Sequence, residues 1–290
     1  MQIARLDVPQ CSVGEGPVWD VEQQALYWID ILEKKVLRLD DRTGEVRQWD
    51  VPEIIGSMAI RKDGRSALVA LASGVHTLDF ETGACTMLAT SPDLNEQVQL
   101  ADGKVDRRGR FIVGSSDRSM REARGKLYVL DPGATELRAI DDDIILANGP
   151  CWSPDDKVFY HADSRRNLIY AYDYDIETGT VSNRRVFAST SELGGIPDGA
   201  TVDADGYVWS AICEGGKLVR FHPDGSIDRI VEFPLKLPGS IMFGGPELDL
   251  LFVPTLNPAF LGREAHPDDG STFVIRGTGV RGLPEPRFGA

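Results

Sequence analysis

The chain has 290 residues, 42% hydrophobic and 26% charged, enough to bury a large core as one big all-β domain or as two smaller ones. Its net charge of −14 argues against nucleic acid or anionic membrane as a partner, since both repel such a surface. No apolar run approaches the length of a membrane span, and the opening MQIARLDVPQ has neither an apolar h-region nor a small-residue cleavage site, so a cytoplasmic location is expected. Cys11, Cys85, Cys151 and Cys213 are scattered with no C-x-x-C pair, which reads as buried free thiols rather than a zinc ribbon or redox motif.

Short apolar runs and turn signals alternate down the whole chain. ALYWIDI (Ala25–Ile31) and KVLRLD (Lys35–Asp40) lead into DDRTGEV, and RKDGRS (Arg61–Ser66) precedes VHTLDF and its turn FETGAC. DRRGRF (Asp106–Phe111), KLYVLD, SPDDKVFY, IYAYDYD, DIETGTV, DADGYVW (Asp203–Trp209), KLVRF, HPDGSI and GPELDLLF continue the series. Period-two alternation punctuated by Asp-Gly or Thr-Gly predicts hairpin after hairpin. Two turns per unit make a repeat of about 45 residues, the size of a four-stranded propeller blade, and about six such units fill the chain. A pair of β-sandwiches is the alternative fold. The only helical candidate is the short Asp117–Arg124, where Arg118, Arg121 and Arg124 at a spacing of three would share one side of a turn. Residues 254–269 form the longest irregular stretch, expected as a surface excursion of the last blade. No linker or low-complexity block divides residues 1–290, so one domain is expected.

Three distant segments carry hard oxygen donors beside Gly and Pro: GEGPVW (Gly14–Trp19), NGPCWSPD (Asn148–Asp155) and PDGATVDADGYVW (Pro197–Trp209). Glu15, Asn148 and Asp198 together would form a partial shell for Ca²⁺, or for Mg²⁺, Mn²⁺ or Zn²⁺. Each segment alone is equally a turn. GTGVRG (Gly277–Gly282) satisfies a dinucleotide fingerprint but is followed by LPEPRF, whose prolines preclude the required helix. DYDIETG lacks the EF-hand's closing Glu, with Arg184 in that place. Of the four histidines only His161 lies in a segment expected near an axis, and a satisfied structural role is the expectation for it.

These motifs, with YWIDI, ADGKVDRRGRF (Ala101–Phe111), GKLYVLDP and FGGPELDLLFV (Phe243–Val253), make the chain resemble the SMP-30/gluconolactonase family nearly end to end. The resemblance implies an all-β, six-bladed β-propeller with a central metal site held by Glu15, Asn148 and Asp198, Asp198 also being the catalytic acid–base residue. It implies one divalent cation, Ca²⁺ foremost, and a small-molecule sugar lactone opened by hydrolysis in carbohydrate catabolism. Another ester or phosphoester hydrolysis on the same metal, or a non-catalytic calcium-binding propeller, are the alternatives. The chain departs from the family at Val98–Gly103: Gln99 stands where the family has Arg, and Ala101 where it has Asn. Gln99 and Arg118 are therefore the substrate-binding candidates, and an anionic lactone would suit a rim carrying Arg118, Arg121 and Arg124.

Overall fold

The computed structural model describes residues 1–289. Its strands form six four-stranded antiparallel sheets, the blades of a six-bladed β-propeller. The first blade runs Gly14–Asp20, Ala25–Asp30, Lys35–Asp40, Val46–Asp50 from the axis outward, and the next four repeat this order along the chain. The sixth is composite. Met242–Gly244, Leu250–Pro254 and Thr272–Arg276 take their outer strand from Gln2–Arg5, whose register Gln2↔Arg276 to Arg5↔Phe273 closes the ring. The hairpins expected from the turn signals are present, but each sheet is covered on both faces, by a blade on either side, so the period-two alternation gives way to continuous burial in the middle strands. Ala25–Asp30, Ser66–Leu71 and Val208–Cys213 are buried throughout.

Buried aspartates brace the blades at both ends of the ring. Where a second strand ends, Asp30 accepts from the Ser12 and Val13 amides, and Asp163 from those of Ile145 and Leu146, fastening each incoming connection to its own blade. At the opposite end, Asp106 and Asp203 cap the Asp-Gly-type turns. Asp203 also accepts from Trp209 Nε1 at 2.9 Å and Arg220 Nε at 2.8 Å. Each carboxylate satisfies two or more donors that burial would otherwise orphan.

The short helical candidate at Asp117–Arg124 forms no helix, and the alternative of a solvated loop describes it. Asp117 ends a strand, and 118–124 are an exposed loop folded around its buried carboxylate, which accepts from Ser119 Oγ, the Arg121 and Glu122 amides and Arg124 Nη1. Local bonds to one carboxylate have displaced the helical ladder. The excursion expected at 254–269 is present and contains only a short 3₁₀ turn at Pro258–Leu261. All four cysteines are free, with Cys85 half-buried and the others buried.

Candidate active site

The innermost strands of the first five blades share one irregularity. Each carries a register shift near its start, at Glu15/Val18, Ile55/Ser57, Leu100/Gly103, Asn148/Cys151 and Pro197/Ala200. A bulge turns a side chain out of the ladder and toward the axis. The Gly and Pro of the motifs serve that bend: Gly16 and Gly149 have φ of +52° and +57°, where side chains strain. Close approach matters equally, since a Cβ on Gly149 would lie 2.8 Å from the Asp198 carbonyl oxygen and one on Gly239 2.6 Å from Glu15 Oε1. Thus Glu15, Asn148 and Asp198, from blades one, four and five, are brought to one mouth of the channel.

A fourth group joins them. Asp102, in the bulge of blade three, accepts from its own Gly103 amide and from the Gly149 amide of blade four, both at 2.8 Å. Asn148 Nδ2 donates to Ser164 Oγ at 2.9 Å, and Ser164 Oγ donates to the Pro197 carbonyl at 2.6 Å. With its amino end so engaged, Asn148 keeps its carbonyl oxygen as a donor atom for the axis. In the sequence, Asp102 stands out only as part of the ADGKVDRRGRF motif. The Asp-Gly signal at 102–103 was visible, but nothing local to Ser164 marks it.

The electrostatics follow from burial and crowding. Desolvation first, then Asp102, lifts the Asp198 carboxyl from its ordinary 3.8 to about 8. Glu15 is raised well above 4.5 by burial and by the charges of Asp198 and Asp102. Asp102 is raised by desolvation, against a lowering pull from Lys104. Among the described residues no salt bridge reaches Glu15, Asp102 or Asp198. Nor do three His, Cys, Asp or Glu side chains close into a ready metal shell there. The donor set is therefore two or three mutually repelling carboxylates plus an amide oxygen. That chemistry suits a hard divalent cation, whose charge would relieve the repulsion.

Both substrate-binding candidates belong to blade three, as Asp102 does. Gln99 is half-buried on the inner strand of blade three, paired with Ser116. Arg118 is exposed, its amide donating to the Gln97 carbonyl at 2.8 Å. Arg121 is also exposed, whereas Arg124 is engaged by Asp117 at 2.9 Å, so the three arginines do not form one row. Arg165 Nε donates to the Met120 carbonyl at 3.2 Å, holding the loop against the next blade. His161 corrects an expectation. It is 1% exposed between blades three and four, yet neither ring nitrogen has a hydrogen-bond partner, so it is structural but not satisfied.

A six-bladed propeller whose inner-strand bulges gather carboxylates and an amide at one mouth defines the class. Residues 13–257 match the family model described as SMP-30/gluconolactonase/LRE-like region, and the chain belongs to that family. It is 36% identical to 6-deoxy-6-sulfogluconolactonase of Pseudomonas putida, over 97% of each chain. It is 34% identical to regucalcin of Xenopus laevis, over 96% of this chain and 95% of that protein. Among solved structures, a luciferin-regenerating enzyme superposes with TM-score 0.90 at 25% identity, covering 99% of this chain and 98% of that one. The calcium-binding protein regucalcin from Agrobacterium tumefaciens gives TM-score 0.89 at 26% identity, covering 99% and 97%.

Proposed function

We propose that the protein is a lactonase: a metal-dependent hydrolase that opens a sugar-derived lactone in carbohydrate catabolism. The observation that carries this reading is the convergence of Glu15, Asp102, Asn148 and Asp198 at one mouth, in a chain whose relative is named for lactone hydrolysis. Glu15, Asn148 and Asp198 would hold one divalent cation, Ca²⁺ foremost, in keeping with the calcium-binding description of the Agrobacterium relative. Such a cation would supply Lewis acidity toward the lactone oxygen. Asp198 takes the proton from the attacking water. Its strong desolvation makes it a better base than an exposed carboxylate, and a bound cation works in the opposite direction, keeping it ionised. Asn148 is oriented through Ser164 and the Pro197 carbonyl, and Asp102 fixes the Gly149 amide beside it.

The substrate we favour carries an anionic group. Gln99 and Ala101 remove the family's Arg and Asn from the pocket, Arg118 and Arg121 are exposed on the loop beside it, and the Pseudomonas putida relative is named for a sulfonated lactone. A panel of neutral and anionic aldonolactones, followed by acid release with and without chelator, tests the whole reading. Chelator-sensitive hydrolysis of at least one lactone, with an anionic one preferred, is expected. No metal-dependent acid release from any of them would leave a non-catalytic propeller.

A further inference from the structure

A void of about 10 Å³ lies among Gly16, Met58, Asp102, Lys104, Ala200 and Ser240. Lys104, from the GKVD motif of blade three, crosses it: Nζ donates to the Ala200 carbonyl of blade five at 3.0 Å and lies 3.8 Å from Glu285 Oε1. The Lys104 side chain is 12% exposed and that of Glu285 17%. Lys104 is also the one cation whose field lowers the Asp102 carboxyl.

Glu285 belongs to a strap that follows the last strand and crosses the channel floor. The Ala204 amide donates to Arg281, and the Gly282 amide to Leu248, each at 2.8 Å. Leu283–Pro286 then cap a void of about 20 Å³ against Lys104, Cys151 and Trp152, room for about one water. Arg287 pairs with Asp20 at 2.8 Å, Phe288 bonds to Ile60 and Lys62, and the Gly289 amide donates to Gly109 at 2.9 Å. Every blade is touched, so the strap is held rigidly, and Glu285 with it.

We infer that Lys104 is a positioning residue of the metal site, a built-in counter-charge whose strength is set from below by Glu285. The inference rests on the metal-site reading above and adds the floor of the channel to it. With a cation bound, the three ionised carboxylates would carry three negative charges, of which a divalent ion cancels two. Lys104 supplies the third positive charge within the low-dielectric channel. It thereby spares Asp102 for the Gly149 amide and limits how tightly the site grips its cation.

Opposite signs distinguish this from a mere crossbar. In the full-length, metal-stripped protein, Ca²⁺ and Mn²⁺ affinities are measured by titration calorimetry at neutral pH for wild type, Lys104→Met and Glu285→Gln. Removing the ammonium removes a repulsion, so Lys104→Met should bind either cation about tenfold more tightly. Removing the Glu285 charge leaves Lys104 uncompensated, so Glu285→Gln should bind about threefold more weakly. A crossbar whose loss only loosens the fold would weaken binding in both variants, and that result, or no change in either, overturns the inference. Where Lys104→Met unfolds, Lys104→Gln, whose amide can still donate toward the Ala200 carbonyl, takes its place with the same tighter binding expected, so the opposite signs remain readable. A wild type that binds neither cation brings down the metal-site reading and this inference with it, an outcome visible before any variant is made.

Discussion

At the scale of single residues, chemistry is set by what burial does to a polar group. Asp198 and His161 are both sunk in the protein, with opposite consequences. The crowded Asp198 carboxyl sits where a cation and a water can use it. Asp198→Asn keeps the size and removes the charge, so lactone turnover should fall by at least about a hundredfold, the usual scale for a lost acid–base group, while the circular dichroism spectrum is unchanged. Turnover that persists in this variant would move the base elsewhere. His161 has no such use. Burial pushes its pKa down from 6.5 to about 3, with Arg184 adding to the effect. The folded ring stays neutral while the unfolded chain takes up a proton below 6.5, so the ring brings no pH-linked penalty above that pH and lowers stability progressively as pH falls toward 3. With both ring nitrogens unpartnered, His161→Phe should raise stability by about 1 kcal/mol at neutral pH and flatten the acid limb of the stability curve, as read by urea melts at several pH values.

At the scale of elements, the bulge in each inner strand and the loop above it divide the work. The bulges are common to five blades, with glycines at the closest approaches, and they position the groups that would do chemistry. The 118–124 loop is free to vary, because its own carboxylate, Asp117, holds it. The Ser119 hydroxyl and the Arg121 and Glu122 amides keep Asp117 well below the usual carboxylate range, so the loop retains its shape across the working pH range. Arg118 adds no bond to that framework beyond its amide, so its guanidinium is open to the ligand role proposed above. Arg118→Ala should therefore raise KM for an anionic lactone about tenfold, through loss of a charge-assisted contact, and leave KM for the neutral analogue within about twofold. Equal effects on the two lactones would make this arginine a solvated surface group.

At the scale of the molecule, the propeller is closed twice. Gln2–Arg5 completes the sixth blade, and the strap over the channel floor pins the ring from below. The strap's strongest fastening is Arg287, 12% exposed, which pairs with an Asp20 side chain only 2% exposed and with Glu22. Arg287→Ala leaves the Asp20 carboxylate buried beside only the Glu22 and Gln23 amides. Breaking a buried pair from one side costs about 3 kcal/mol, so the melting temperature should drop by several degrees and hydrogen exchange in 281–289 should accelerate. An unchanged melting temperature would mean that the strap contributes no stability through this pair.

The sequence by itself determined the repeat and most of the mouth. Asp-Gly and Thr-Gly turns at blade spacing act through local backbone preference, so hairpins such as Arg61–Ser66 and Asp203–Trp209 were legible without any partner. Glu15, Asn148 and Asp198 were legible as candidates, since the glycines and prolines that bend their strands are sequence neighbours, but only the family resemblance set them apart from ordinary turns. Whether Asp117–Arg124 would be a helical turn or a loop was not legible, because spacing alone cannot reveal a buried carboxylate that collects the same amides. Only the tertiary structure decided what depends on distant parts meeting. It brought Asp102 to the Gly149 amide, Ser164 between Asn148 and Pro197, and Lys104 between Ala200 and Glu285. It also isolated His161 between two blades. Each of these depends on how far inward a blade sits and which neighbour it faces, which is fixed by packing across the ring and leaves no mark in adjacent residues.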